Sequence, residues 1–584
     1  MKKAALLILS VLFVPVSTRA QGLGSIVGTV TDPSGAAIAS AKIMAKEAGT
    51  GFVREARTDD QGYYVIPSLR PAAYIVSVEA RGFSTAKENI TLLADQTLTV
   101  NVQLKLGVST ETVTVNSGDT QVDTTTSILK QVIEQQRLTE LPLNGRNAAQ
   151  LTLLVSGAVN SPGGGADQGF TKTFPGAVTI SANGARQNMV SYQLDGGNYV
   201  DEYTNVNQPF PFPDALQEFS VQTSNYTAEY GQNAGAAVNV ITKSGTNRFH
   251  GDVFEFVRNA VFNARGFFAP FTLPNGQPTK DKGRDQIKRN QFGGTFGGPI
   301  IHDKTFFFAG YQGTRFRNIG NASRSTLPTT NFAPNAIPAS GPVTSSTTCT
   351  SGTTSSPCDI ETYLNTGGPG GGPGTIDPVS LNILKGLPLT ASRTVIFLRP
   401  QDDNYDEVIG KADHSFSRSD QVAVRYDYNR FHRDAVFDPA NFLTYANGAT
   451  IPAQNALIHE THLFKPNLIN DFRFGYSREA AQRGPASTVP SVKTLGSNIP
   501  FQPPTNAIQQ IRVNNGFSFG DNPNASFVRN NFTWSDDVSW VVAKHDLRFG
   551  GVIERSRVDL NNLFFQPAEF SFCTLAPGQT PTPP

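Results

Sequence analysis

The chain has 584 residues, with 48 Lys or Arg against 47 Asp or Glu and a formal net charge of +1. That balance leaves no surplus of positive charge to neutralise a nucleic-acid backbone, so no nucleic-acid partner is expected; the length calls for two to four folding units. Charged residues make up 16% and 53 Gly, 40 Phe and 15 Tyr stand beside 3 Met, a charge-poor, glycine- and aromatic-rich composition that points to a mainly β protein.

The first element in chain order reads as an export signal over residues 1–20. Lys2 and Lys3 precede an apolar run over 4–16, and Thr18 and Ala20 are small enough for signal peptidase. The run is shorter than the ~20 residues a spanning helix needs, and no later stretch approaches that length without charge. An exported chain of this kind enters a membrane only as a closed barrel, because lipid tolerates no unpaired strand edge.

Residues 22–106 form the first folding unit. Short alternating segments at 25–32, 41–48, 63–69, 74–80 and 96–104 are separated by turns such as Asp32-Pro33-Ser34-Gly35 and Asp59-Asp60-Gln61-Gly62. In the last segment Leu98, Val100, Val102 and Leu104 share one face and Thr97, Thr99, Asn101 and Gln103 the other, as in a half-buried strand. About seven strands of this kind predict an immunoglobulin-like or transthyretin-like β-sandwich. The pattern Gly28-Thr29-Val30-Thr31-Asp32, then Thr58-Asp59 through Gly62-Tyr63-Tyr64 and Tyr74, resembles the carboxypeptidase regulatory-like domain. The resemblance implies an accessory, carbohydrate-binding-like fold and no peptidase, since the first His in the chain is His250.

A linker follows over 107–137. Glu111, Thr112, Val113, Thr114 and Val115 make a short β-prone strip followed by polar residues; such a strip outside a domain boundary suits addition to another protein's sheet edge. It resembles a TonB box, which implies a TonB-type energy-transducing complex as partner. An ordinary strand has the same pattern, and both readings stand.

Residues 138–246 are dense in Gly, Asn and Thr. Leu141-Pro142-Leu143-Asn144-Gly145-Arg146-Asn147, Asn183-Gly184-Ala185-Arg186 and Tyr192-Gln193-Leu194-Asp195-Gly196 stand in order. Ala215-Leu216-Gln217-Glu218-Phe219, Tyr226-Thr227-Ala228-Glu229-Tyr230-Gly231 and Val238-Asn239-Val240-Ile241-Thr242 follow. Together they resemble the plug of Oar-like TonB-dependent receptors. A plug must present a polar surface to a hydrated lumen, so a hydrated domain without a greasy core is expected. Gly231, Gly235 and Gly245 fit close backbone packing or plain turns. Asp195, Asp201 and Glu202 have the oxygen donors for Ca²⁺, with a solvated loop the preferred reading.

From 247 to the end the alternation is that of membrane strands about ten residues long. Val422, Val424, Tyr426 and Tyr428 oppose Ala423, Arg425, Asp427 and Asn429; Phe472, Phe474 and Tyr476 oppose Asp471, Arg473 and Ser477; Leu547, Phe549 and Ile553 oppose Asp546, Arg548 and Glu554. Charge on one face only is what outer-membrane lipid requires of a wall. Short turns at 302–304, 417–420, 465–467 and 543–545 alternate with long connections at 316–404, 431–455 and 478–530, the wiring of periplasmic turns and extracellular loops. Arg289-Asn290-Gln291-Phe292-Gly293-Gly294 and Lys304-Thr305-Phe306-Phe307-Phe308 again resemble the Oar-like family. About nine strands are expected, an incomplete barrel beside the roughly 22 of plugged transporters, so the sequence reads as part of a longer protein ending within an extracellular loop.

Cys349 and Cys358 lie close together in the first long connection and suit a small disulfide in an oxidising compartment; zinc is the weaker alternative, with no His nearby. His459-Glu460-Thr461-His462 lacks the i, i+4 spacing of a zinc-protease helix and sits in an alternating strand, so no metal is expected there. No nucleophile signature occurs, and neither catalysis nor a cofactor is expected. The sequence therefore predicts an outer-membrane receptor, its sandwich in the periplasm, for energised uptake of an extracellular siderophore, oligosaccharide or peptide. The competing reading is an adhesive or structural barrel whose sandwich binds glycan or envelope components.

Overall fold

A computed structural model describes residues 22–107, 112–116, 128–160, 174–175, 177–226, 230, 233–264, 287–318, 323–326, 378–388, 394–397, 399–491, 493–497, 510–513, 517–520, 524–542, 545–562 and 569–572. The export signal, Glu111, Gly231, Cys349 and Cys358 lie outside the described residues.

The N-terminal unit is a two-sheet sandwich of β1 (Gly24–Thr31), β2 (Lys42–Glu47), β3 (Val53–Arg57), β4 (Tyr63–Leu69), β5 (Ala72–Glu79), β6 (Thr85–Leu92), β7 (Thr97–Thr99), β8 (Val102–Gln103) and β9 (Thr112–Asn116). One sheet runs β4-β1-β7 with β8 also on β1; the other runs β3-β2-β5-β6-β9. The expected alternation over 97–104 is present, with Leu98, Val100, Val102 and Leu104 buried. The segment is nevertheless two strands, because at the break the Asn101 side chain accepts the Thr29 N–H at 2.9 Å. At the same crossing Tyr64 Oη donates to the Val100 carbonyl at 2.8 Å. A Cβ on Gly28 would stand 1.9 Å from that carbonyl oxygen, so Gly28 is what allows the strands to approach.

A second unit follows: β10 (Leu129–Glu134), α1 (Gln135–Glu140), β11 (Ala158–Asn160), β12 (Ile180–Ala182), β13 (Val190–Leu194), β14 (Gly197–Asn198), β15 (Val200–Asp201), β16 (Val206–Asn207), β17 (Leu216–Ser224) and β18 (Ala236–Thr242). Its main sheet has the order β10-β17-β18-β13-β14, and β13 runs parallel to β18. The expectation of a domain without a greasy core is corrected. Ile133, Leu138, Leu151, Tyr192, Leu194, Phe219, Val221, Val238 and Val240 form one buried apolar cluster, and hydrophilicity is confined to the outer faces. A domain this size needs such burial to offset its chain entropy.

The third unit contains β19 (His250–Asn259), β20 (Lys288–Ile301), β21 (Thr305–Asn318), β22 (Ser323–Thr326), α2 (Pro378–Lys385), β23 (Thr394–Phe397), β24 (Gln401–Ser415), β25 (Asp420–Arg433), β26 (Val436–Asp438), β27 (Asn441–Ala446), β28 (Gly448–Lys465), β29 (Leu468–Gly484), β30 (Gln510–Val513), β31 (Ser518–Phe519), β32 (Ala525–Val542), β33 (His545–Asn562) and β34 (Glu569–Phe572). Nine of these make one sheet in the order β19-β20-β21-β24-β25-β28-β29-β32-β33. The predicted short turns join β20 to β21, β24 to β25, β28 to β29 and β32 to β33.

Side chains alternate as expected: Arg425, Asp427 and Asn429 are each 2% exposed on the inner face, against 43% for Val424 and 46% for Tyr426 outside. The strands are longer than expected, up to 18 residues in β28, β32 and β33. At ~3.4 Å per residue such a strand spans ~60 Å, far more than a ~25 Å apolar band needs even when tilted. They therefore rise well beyond that band at the long-connection end. There the minor strands pair among themselves around a further apolar cluster that includes Leu387, Phe397, Phe442, Leu443 and Phe519.

Candidate functional site

The second unit packs against the polar inner face of the nine-stranded sheet, and its motif residues make three anchors to that wall. The first is Asp195. Asp195-Gly196 is the two-residue turn between β13 and β14, with φ of 51° and 78°, the left-handed conformation that a tight hairpin demands and Asp-Gly tolerates. The turn presents the carboxylate to Arg425 Nη1 at 2.8 Å and Lys411 Nζ at 3.4 Å. The Thr242 N–H and hydroxyl also donate to it at 2.9 and 2.7 Å. Burial pushes the carboxyl up, but the two cations and the Thr242 bonds prevail and hold it at about 2. Nearby, Tyr199 Oη donates to Asp427 at 2.9 Å.

The second anchor is Asp201 at the end of β15. Arg529 Nε and Nη2 donate to its two oxygens at 2.8 and 2.9 Å, the fork geometry that suits guanidinium and carboxylate. Arg529 also reaches Glu479 at 2.8 Å. All three side chains are nearly inaccessible. The neighbouring Glu202 accepts from Asn198 at 2.8 Å and from Asn531 of the wall at 3.3 Å.

The third anchor is the turn at 144–147. Gly145 and Arg146 both have positive φ, 71° and 57°, and the turn drives Arg146 between the domain and the wall. Arg146 pairs with Asp214, donates to Gln312 at 3.1 Å and lies 4.0 Å over the Phe256 ring. Wall residues return the contact: Arg289 donates to Asn144 Oδ1 at 3.0 Å and Gln291 to the Gly145 carbonyl at 3.0 Å.

The solvated-loop reading of Asp195, Asp201 and Glu202 is thus corrected, and the Ca²⁺ alternative with it: the acids are dispersed and their oxygens are engaged by wall cations and amides. Gly235 and Gly245 hold close backbone approaches, since an added Cβ would lie 2.7 Å from the Met189 carbonyl and 2.3 Å from the Phe307 carbonyl. His459 and Thr461 face inward and both reach Asp471, at 3.2 and 2.8 Å, whereas His462 faces the other way onto Asp420 at 2.6 Å. The second strand face brings Asp420, Glu460 and His462 within 4.8 Å of one another, where the His462–Asp420 pair accounts for the approach.

Between the third anchor and the long-connection end of the wall lies a pocket of about 450 Å³. Phe174, Phe210, Phe316, Tyr405 and Phe431 supply its apolar surface, and Arg146, Arg289 and Arg433 its charge. Arg433 is held by both oxygens of Asp403 at 2.5 and 2.7 Å and Arg146 by Asp214. Arg289 is held by the neutral amide of Asn144 and stacks 5.0 Å over Phe316, so among the described residues its charge is the least neutralised of the three. None of these pocket residues is singled out as ligand-binding by sequence motif; alternation places them on the inner face, and only the fold brings them together.

The strip at 111–115 is described over Thr112–Val115, within β9. It runs parallel to β6, pairing Thr85 with Thr112 through Asn89 with Asn116, and forms the edge of its sheet.

Residues 241–583 match the family model described as an outer membrane beta barrel domain, and residues 25–105 match the carboxypeptidase regulatory-like domain. The TonB-dependent transporter Oar of Myxococcus xanthus is 29% identical over 319 residues, which cover 50% of this chain and 28% of that protein. Among solved structures, the outer membrane transporter YddB from Escherichia coli aligns with a TM-score of 0.45 at 10% identity, over 74% of this chain and 48% of that one. The siderophore receptor PirA from Acinetobacter baumannii aligns with a TM-score of 0.42 at 13% identity, over 74% and 48%. The chain thus spans well under a third of the length of the curated relative that it matches.

Proposed function

This chain belongs to the outer-membrane β-barrel domain family, and from that premise we propose that it carries the sandwich, plug and leading barrel strands of a receptor for energised uptake of an extracellular ligand. Its domains are then a periplasmic sandwich over 22–106, a linker over 107–137 that adds β9 to the sandwich and β10 to the plug sheet, a plug over 138–246 and a barrel wall from 247. The observation that carries the reading is the set of three buried polar anchors. A domain fixed to the inner wall by buried ion pairs and amide hydrogen bonds, beside aromatic contacts of Phe174 with Phe431 and of Phe212 with Phe254, fills a lumen through polar bonds that water can replace on release.

The pocket at the third anchor suits a ligand with a flat apolar body and an anionic group, because its walls are aromatic and Arg289 offers a cation held by no carboxylate among the described residues. The energy-coupling site is the strip Glu111, Thr112, Val113, Thr114 and Val115, whose partner is a TonB-type complex; the Myxococcus relative's name carries the same dependence. The parallel pairing of the strip on β6 supports its capacity for strand addition, the mode by which such a partner would take it. Deleting 111–115 from the protein in its native outer membrane tests the reading. Uptake is expected to be lost while assembly and ligand binding persist, and uptake at the undeleted rate refutes it.

A further inference from the structure

The face of the plug sheet turned away from its own core is polar and yet sealed: Glu218 and Gln222 of β17 and Asn239 of β18 are each 2% exposed or less. What covers them is the sandwich turn between β6 and β7, where Asp95 takes a φ of 52°. Both Glu218 oxygens accept the Ala94 N–H at 3.0 Å, and Lys130 donates to the Ala94 carbonyl. The plug therefore grips one sandwich residue by both of its backbone polar groups. The Asp95 carboxylate accepts from Gln222 Nε2 and Tyr230 Oη at 3.1 Å each and from Asn239 Nδ2 at 3.2 Å. Glu218, Tyr230 and Asn239 all belong to the plug motifs noted in the sequence, so those motifs include the receiving surface for the sandwich turn.

The sandwich has a second boundary, with the short-turn end of the wall. There Arg70 pairs with Asp413 at 2.7 Å, the Arg70 side chain being 30% exposed. Gly49 accepts the Asn247 N–H at 2.9 Å, and the half-buried Asn247 side chain ties to Thr50 and Asp303. A cavity of about 280 Å³ lined by Glu47, Arg70, Asp195, Lys411, Asp413 and His459 separates sandwich, plug and wall at this place. The two boundaries differ in kind. The plug boundary is made of buried bonds on both partners, whereas at the wall boundary Asp413 is buried but Arg70 is 30% exposed and the pair is backed by a cavity, which leaves it open to water and screening.

We propose that the sandwich is a gate over the short-turn mouth of the barrel that stays clipped to the plug through Ala94 and Asp95 and parts first from the wall at Arg70 and Asn247. Sandwich and plug then move as one body. Force applied anywhere on the sandwich, β9 included, reaches the plug sheet through the Ala94–Asp95 clip and not only along the chain leading into β10. This device goes beyond the uptake reading, and its test needs neither ligand nor TonB.

Hydrogen–deuterium exchange at single-amide resolution, on the full chain in detergent through a sub-denaturing urea series, reads the order of opening. Three amides report: Asn247 for the wall boundary, Ala94 for the clip and Val221 for the plug sheet. The expected result is that Asn247 loses protection at lower urea, and that Ala94 opens only together with Val221. Ala94 opening with or before Asn247 overturns the proposal. Asp95→Ala is expected to speed exchange at Ala94 by about tenfold or more while Val221 stays within about twofold; an unchanged Ala94 overturns it equally. Should Asp95→Ala misfold, Arg70→Ala provides the complement, with Asn247 faster and Ala94 unchanged, and coupled acceleration of both amides refutes separate boundaries.

Discussion

Replacing Arg529 by Met tests the claim that the plug is held to the wall by buried charge. The substitution keeps an unbranched side chain and removes the cation that Asp201 and Glu479 share, at 2.8 Å from each. Asp201 is 2% exposed and Glu479 1%, so neither recovers the lost bonds from water. Removing one partner of a buried ion pair costs about 3–5 kcal/mol. At 1.36 kcal/mol per decade, that accelerates exchange of the plug amides that open with this anchor by roughly two to nearly four orders of magnitude. The triple variant Arg529→Met, Asp201→Asn, Glu479→Gln removes the uncompensated charge as well and is expected to recover the loss to within about 1.5 kcal/mol. Exchange measured on β15 to β17 in matched detergent decides the matter. A change below about 1 kcal/mol in the single variant, the size expected of an exposed pair, refutes the reasoning, as does a triple variant no better than the single.

Two further outcomes follow from the same contacts. Burial, opposed by Lys130, raises Glu218 to about 7 from an ordinary 4.5. A carboxyl with a raised folded value stabilises the fold most below its unfolded pKa, and loses that contribution as pH rises through about 7; the span is worth about 3 kcal/mol. Stability of the sandwich–plug unit is therefore expected to fall between pH 5 and 8, and Glu218→Gln to flatten the profile; a slope equal to that of the unaltered protein counts against the clip. Val424 is 43% exposed on the outer face of β25, the face that an outer-membrane barrel turns to lipid, so Val424→Arg is expected to destabilise the barrel by about 2–4 kcal/mol in a bilayer. The exposed sandwich position Thr99→Arg should stay within about 0.5 kcal/mol, and equal effects at both positions would remove the lipid-facing assignment.

What was legible in the sequence is what the local chain decides. Alternation in 422–429 orders the two faces of β25 correctly because a strand has no other period, and four short turns locate eight of the nine wall strands because a tight hairpin leaves no room for anything else. Strand length was not legible: β28 and β29 keep pairing out to Gly448 and Gly484, beyond any lipid band, where apolar alternation ceases to be required but hydrogen bonding does not. The acids of the plug were misread for a related reason. Asp195 meets Arg425 across 230 positions and Asp201 meets Arg529 across 328, so nothing near either acid announces its partner. Alternation already turned Arg425 and Arg473 onto the inner face, where a cation that becomes buried is costly unless paired. The wall itself turns Glu407, Asp413, Asp427, Asp471, Glu479 and Asp537 inward, so a count of charges leaves the partners undecided and only the fold assigns Asp195 and Asp201.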